Sequence, residues 1–273
     1  MMTATMSERD KELSLVQHLG ELRTRLMVAA FAVLITSVIA FLFSTSIIRV
    51  LLIPVDCQWF EVTTRSLFPP DISARLGLTC SALPTKLVAL SPTENFTTFM
   101  RVSLFAGIAI AMPVILYEIY AYIDPALLAK ERRYIRFMGL PVILLFVLGM
   151  AFCYFVLLPN AIKFLISFGG DVIQNQLRAS DYISFVTTFI LGVGLVFEMP
   201  AIIYALVRVH VVRRSWLAKQ RRYVFLLVFV IGAIITPTPD PFNQTLVAIP
   251  MYLLFELGLF LARFAGGETR AAT

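Results

Sequence analysis

From Leu26 to Phe43 the chain runs for eighteen residues without a charge. A helix rising 1.5 Å per residue needs about 18–20 such residues to cross the ~30 Å hydrocarbon layer of a bilayer. Six apolar segments are present, at 26–43, 96–122, 137–168, 182–207, 223–235 and 242–262. Apolar residues fill 59% of the 273 positions and charged residues 15%. A soluble domain averages about half and a quarter, so a sizeable soluble domain has no room here. The expected fold is all-α, a polytopic membrane protein with one six-helix transmembrane domain over 26–264 and a long outer loop at 44–95. A cytoplasmic tail and helix start at 1–25 precede it, and a tail at 265–273 follows.

The basic residues set the expected orientation. Sixteen of the 23 lysines and arginines lie in 1–25, 123–136, 208–222 and 263–273, which places both termini in the cytoplasm by the positive-inside rule. The same clustering accounts for the formal charge of +6 without invoking nucleic acid. The stretch 1–17 is polar and mixed in charge, unlike a cleaved signal peptide, so the first span is expected to serve as its own insertion signal.

Several segments carry breaks. Pro141 lies near the start of the third, where a missing amide costs least, while Pro159 is expected to kink it. The fifth offers only 13 uncharged residues, about 20 Å of helix. Pro237, Pro239 and Pro241 then force a turn, making a hairpin too short to span comfortably. Snorkelling of Arg221 and Arg222 and local thinning of the bilayer both accommodate it. In the outer loop, Ile47–Ile53 and Lys86–Leu90 read as amphipathic pieces at the interface. Cys57 and Cys80 lie on the face where disulfides form; a bond between them would close a loop of ~24 residues and contribute roughly 3 kcal/mol.

No phosphate-binding loop GxxxxGK[ST], HExxH or GxSxG is present. The two histidines, His18 and His210, both sit at helix ends, too few and too isolated for a metal site. No enzyme, metal or cofactor is expected. An intramembrane hydrolase built on Ser184 or Ser167 lacks a histidine near any span centre. The acids are more informative. Glu198 lies deep in the fourth segment, where an ionised carboxylate costs at least ~2.5–3.5 kcal/mol, so it is protonated, partnered or facing a wet cavity. Glu118 and Glu256 raise the same question nearer helix ends. Glu21 and Arg25 have the spacing of a helix ion pair worth ~0.3–0.5 kcal/mol. Glu131 precedes Arg132 and Arg133 where the third helix begins. Spacing alone does not separate solvated interface charges from a pair that binds guanidinium. A proton-coupled small-solute transporter using Glu198 is a reading these residues leave open.

The string HLGELRTRL at 18–26 resembles the amino-terminal signature of the TatC family, the core subunit of the twin-arginine protein translocase. The strings at 91–104, 113–134, 149–159, 184–200 and 236–264 resemble that family in the expected order, so the likeness covers about 15–264. It implies a glove-like bundle in a bacterial-type cytoplasmic (inner) membrane, which receives twin-arginine signal peptides of folded precursor proteins. By this resemblance Glu21 and Glu131 bind the paired arginines, with Arg23, Tyr122 and Pro125 on the same surface. Two carboxylates suit the task because guanidinium forms forked pairs that lysine does not. Glu198, Gln244 and Thr236 are implied as contacts to partners within the membrane. The partners implied are TatA-like and TatB-like single-span subunits and membrane lipids, in a complex holding several copies, powered by proton-motive force. The loop from Asp56 to Cys80 looks longer than the family's, and its cysteine pair is no family hallmark.

Overall fold

The computed structural model describes residues 15–54, 87–123, 129–168, 177–236 and 240–265, and all their side chains except those of 15–18, 123, 129–138 and 265. In chain order the helices are α1 (Leu15–Leu42), α2 (Ser44–Leu52), α3 (Pro92–Ile123), α4 (Ala129–Phe152), α5 (Leu158–Ser167), α6 (Ala179–Val196), α7 (Met199–Arg208), α8 (Arg214–Lys219), α9 (Arg221–Ile235) and α10 (Pro241–Ala265). No strand occurs among the described residues; the only extended pairing there is an isolated bridge between Val88 and Arg178. The fold is all-α, as the apolar segments require.

Five stretches are long and apolar enough to cross a membrane: Leu19–Leu42, Pro92–Tyr122, Gly139–Ser167, Ala179–Arg208 and Pro241–Phe264. The sixth expected segment, α9, is a helix of 15 residues, about 22 Å long. It is short in the way its uncharged run indicates, but its hairpin partner α10 is not: at 25 residues it reaches spanning length, because the helix starts at Pro241 and runs on past Arg263. Two of the long stretches are interrupted. Between α4 and α5 a π-helical turn, Cys153–Leu157, takes up the irregularity that Pro159 imposes. Proline has no amide to donate and its ring crowds the carbonyl four residues back, and the wider π turn relieves both. Between α6 and α7 the helix breaks at Phe197–Glu198, just before Pro200.

In lipid the hydrophobic effect does not press helices together, so close packing and hydrogen bonds must hold the bundle. The core is built from α3, the α4–π–α5 stretch, α6, α9 and α10 around Phe189, Leu158, Ile183 and Met251. α1 stands apart and packs almost wholly on α3. Their crossing depends on Gly107, where a Cβ would lie 2.6 Å from the Ser37 Cα. There Thr36 Oγ1 donates to the Gly107 carbonyl at 2.8 Å. The outward face of α1, with Leu26, Phe31, Leu34 and Val38, is exposed and suits contact with lipid.

α2 follows α1 and is amphipathic, as Ile47–Ile53 indicates. Its last carbonyls are held by two phenols: Tyr154 Oη donates to Val50 O at 2.7 Å, and Tyr182 Oη to Leu51 O at 2.8 Å. Residues 87–90 are not helical. Val88 N–H donates to Leu177 O and Ala179 N–H donates to Val88 O, both at 3.1 Å. Asp240 caps α10, accepting the Asn243 N–H at 2.7 Å, with Pro241 in the first helical position.

Candidate functional site

Glu21 and Arg25 stand one turn apart near the start of α1, and the C-terminal part of α3 packs beside them. Arg25 Nη2 lies 3.4 Å from Glu21 Oε1, the pair that the i,i+4 spacing indicates. Arg25 Nη1 lies nearer a second carboxylate, 3.1 Å from Glu118 Oε2 on α3. Glu118 is buried and Glu21 is half-buried. Arg23 points outward and is exposed, and Tyr122 is half-buried at the end of α3. Five residues, 124–128, separate the end of α3 from the start of α4. Glu131 falls in the first turn of α4, where a carboxylate is favoured by the helix dipole. The backbone therefore brings Glu131 to the end of the bundle that holds Glu21. The Glu131 side chain and the whole of Pro125 lie outside the described residues, as do Cys57 and Cys80.

Glu118 and Glu21 together carry two negative charges against one from Arg25. The second Glu21 oxygen, Oε2, accepts nothing from any described residue. Sequence reasoning placed Glu118 among the acids needing a partner but did not join it to Arg25, which lies 93 residues away.

The other intramembrane acids differ. Glu256 pairs with Arg221 through two contacts of 2.8 Å and accepts from Tyr252 at 3.4 Å. Glu198 sits at the break between α6 and α7, 3% exposed, and neither carboxylate oxygen has a hydrogen-bond partner among the described residues. Its own helix therefore supplies the position but nothing to satisfy the group. Thr236 is buried and donates to Gly232 O at 2.8 Å, and Gln244 donates to Phe229 O at 2.7 Å, which ties α10 to α9. Among the described residues no group of three or more His, Cys, Asp or Glu is arranged to hold a metal ion.

The structure missed by sequence reasoning is at the far end of α3. Glu94, 4% exposed, accepts the Leu90 N–H at 2.9 Å and the Ser180 N–H at 3.1 Å, and lies 3.1 Å from Arg178 Nε. An acid one turn after Ser91-Pro92 reads as an ordinary helix start, so nothing in the local pattern singles it out.

Five long apolar helical stretches, with two carboxylates gathered about one guanidinium near the start of α1, define a multi-pass membrane protein. Residues 17–250 match the family described as "Sec-independent protein translocase protein (TatC)". The chain is similar to the TatC protein of Aquifex aeolicus, at 38% identity over 92% of this chain and 95% of that one. It is likewise similar to the TatC protein of Escherichia coli K12, at 34% identity over 97% and 93%. A crystal structure of the twin-arginine translocase receptor TatC superposes with a TM-score of 0.73 at 38% identity, covering 91% of this chain and 99% of that one. The chain belongs to the TatC family. It is a multi-pass membrane component of a protein translocase, and the solute-transporter reading receives no support from these relatives.

Proposed function

We propose that this chain is the receptor subunit of a twin-arginine translocase. It binds the paired arginines of signal peptides on folded precursor proteins at the cytoplasmic face of a bacterial-type inner membrane, with both its termini on that side. Glu21 and Glu131 take the two guanidinium groups, and Arg23, Tyr122 and Pro125 border the surface. TatA-like and TatB-like subunits dock along α9 and α10, near Thr236 and Gln244, in a complex of several copies. Glu198 meets a polar group within the membrane and links assembly to the proton-motive force.

The observation that carries this reading is Glu21: a half-buried carboxylate with one oxygen free of described partners, at the end of the bundle where the α3–α4 connection brings Glu131. A low-dielectric rim strengthens a charge-assisted contact there, and a fork of N–H donors fits carboxylate better than a point charge does. The test is binding of a twin-arginine signal peptide to the detergent-purified protein, set against its twin-lysine version and against Glu21→Ala and Glu131→Ala. The expected result is a loss of at least tenfold in affinity on changing either side. Equal binding of both peptides, unmoved by both substitutions, removes the site.

A further inference from the structure

Arg25 presents to Glu21 the same chemical group that the proposed ligand brings. Its guanidinium spreads across two acids from two helices, Nη1 to Glu118 Oε2 at 3.1 Å and Nη2 to Glu21 Oε1 at 3.4 Å. The shorter contact goes to the more shielded acid, the Glu118 side chain being 10% exposed and that of Glu21 24%. We propose that Arg25 is a resident competitor for Glu21, and that Glu118 is the positioning residue that holds it off, keeping the Glu21 carboxylate open to an incoming guanidinium. This inference rests on the receptor reading given above.

The two contacts of Arg25 have different origins. The pair with Glu21 lies along one helix face and forms wherever α1 is helical, because residues four apart are neighbours. The pair with Glu118 requires α1 and α3 to be in register, which the Thr36 and Gly107 contact secures. Removing the Glu118 charge leaves Arg25 one carboxylate within reach, on its own helix. The guanidinium then moves wholly onto Glu21 and neutralises it. Removing Arg25 does the reverse: two carboxylates stand together uncompensated, and their attraction for a cationic ligand rises. Among the described residues no other basic side chain pairs with either acid. Glu118 therefore acts on ligand binding through Arg25 and touches no ligand itself.

The experiment measures affinity for a labelled twin-arginine signal peptide with the full-length protein in detergent. The variants are Glu118→Gln, Arg25→Gln, the double substitution, Glu118→Asp and Glu21→Gln, and each is checked for its melting temperature and size-exclusion profile. The expected result is about tenfold weaker binding for Glu118→Gln, several-fold tighter binding for Arg25→Gln, and a return to within about threefold of wild type in the double variant. Glu118→Asp keeps the charge and binds within about threefold of wild type. A purely structural role for Glu118 predicts no rescue, so a double variant as weak as Glu118→Gln overturns the inference, as does Glu118→Gln binding like wild type. Glu21→Gln separates the two levels. If it lowers affinity while rescue fails, only the role of Glu118 and Arg25 falls; if it changes nothing, the receptor site at Glu21 falls with it.

Discussion

Arg221 and Glu256 close the open end of the α9–α10 hairpin as a forked pair, with Nε on Oε1 and Nη2 on Oε2, both at 2.8 Å. The two side chains are 51% and 33% exposed, so the pair is screened and its contribution is modest despite good geometry. Glu256→Gln is expected to lower unfolding free energy by about 0.5–1 kcal/mol, with a smaller loss at high salt. Denaturant titration in detergent at two ionic strengths checks both the size and the salt trend.

Glu94 has a larger expected effect. Its carboxylate is nearly enclosed and serves two backbone amides as well as Arg178. Glu94→Ala strands both amides and releases the cation, a loss of about 3–5 kcal/mol. Thermal unfolding of the purified variant is the measurement, and a melting temperature equal to wild type would show that the joint between residues 90 and 180 contributes little.

Gly107 is constrained by backbone on its far side, because the nearest atoms to a new Cβ include the Ser37 Cα at 2.6 Å and the Ser37 N at 2.7 Å. Gly107→Ala must push α1 off α3, at about 1–3 kcal/mol, and Gly107→Val more. Cross-linking yield between cysteines placed on the facing sides of α1 and α3 is expected to fall in that order.

Glu198 is expected to behave in the opposite sense. A buried carboxyl with no hydrogen-bond partner among the described residues is a net cost to the isolated protein, so Glu198→Leu should raise its stability by about 1–2 kcal/mol. The same substitution is expected to abolish export in cells. Unfolding in detergent and an export assay on one variant set stability against function, and a destabilised Glu198→Leu protein would contradict the unpartnered carboxyl.

How much of this was legible in the sequence varies with the kind of feature. Spans were, because length and absence of charge are local: 96–122 became Pro92–Ile123, and 242–262 became Pro241–Ala265. The short 223–235 became Arg221–Ile235. α1 begins earlier than Leu26, since its charged first turns are still helical. Glu21 and Arg25 were legible as a pair because four residues make one turn. Arg25 with Glu118, and Glu94 with Arg178 and Ser180, were not. A helix that is apolar on every side carries no stripe from which to read its rotation. Which acid meets which base is then decided by how two helices settle against each other. Pro159 announced a disturbance, but the choice of a π turn over a bend depends on the packing around Cys153 and Leu157, both buried. The TatC resemblance marked Glu21 and Glu198 from their strings, yet offered no hint of what lies against Glu118.

The two phenols on α2 have a mechanical consequence. Tyr154 belongs to the π turn and Tyr182 to the first turns of α6, yet they grip adjacent carbonyls, Val50 O and Leu51 O, at the tail of one short helix. These bonds fasten the tail of α2 to two separate parts of the bundle, while Ile47, Ile48, Leu51 and Leu52 pack on its core. A pull on α1 is therefore shared: it passes directly to α3, on which α1 packs, and through α2 to the π turn and α6. The tail of α2 is thus a junction at which two adjacent peptide units fasten the π turn to α6.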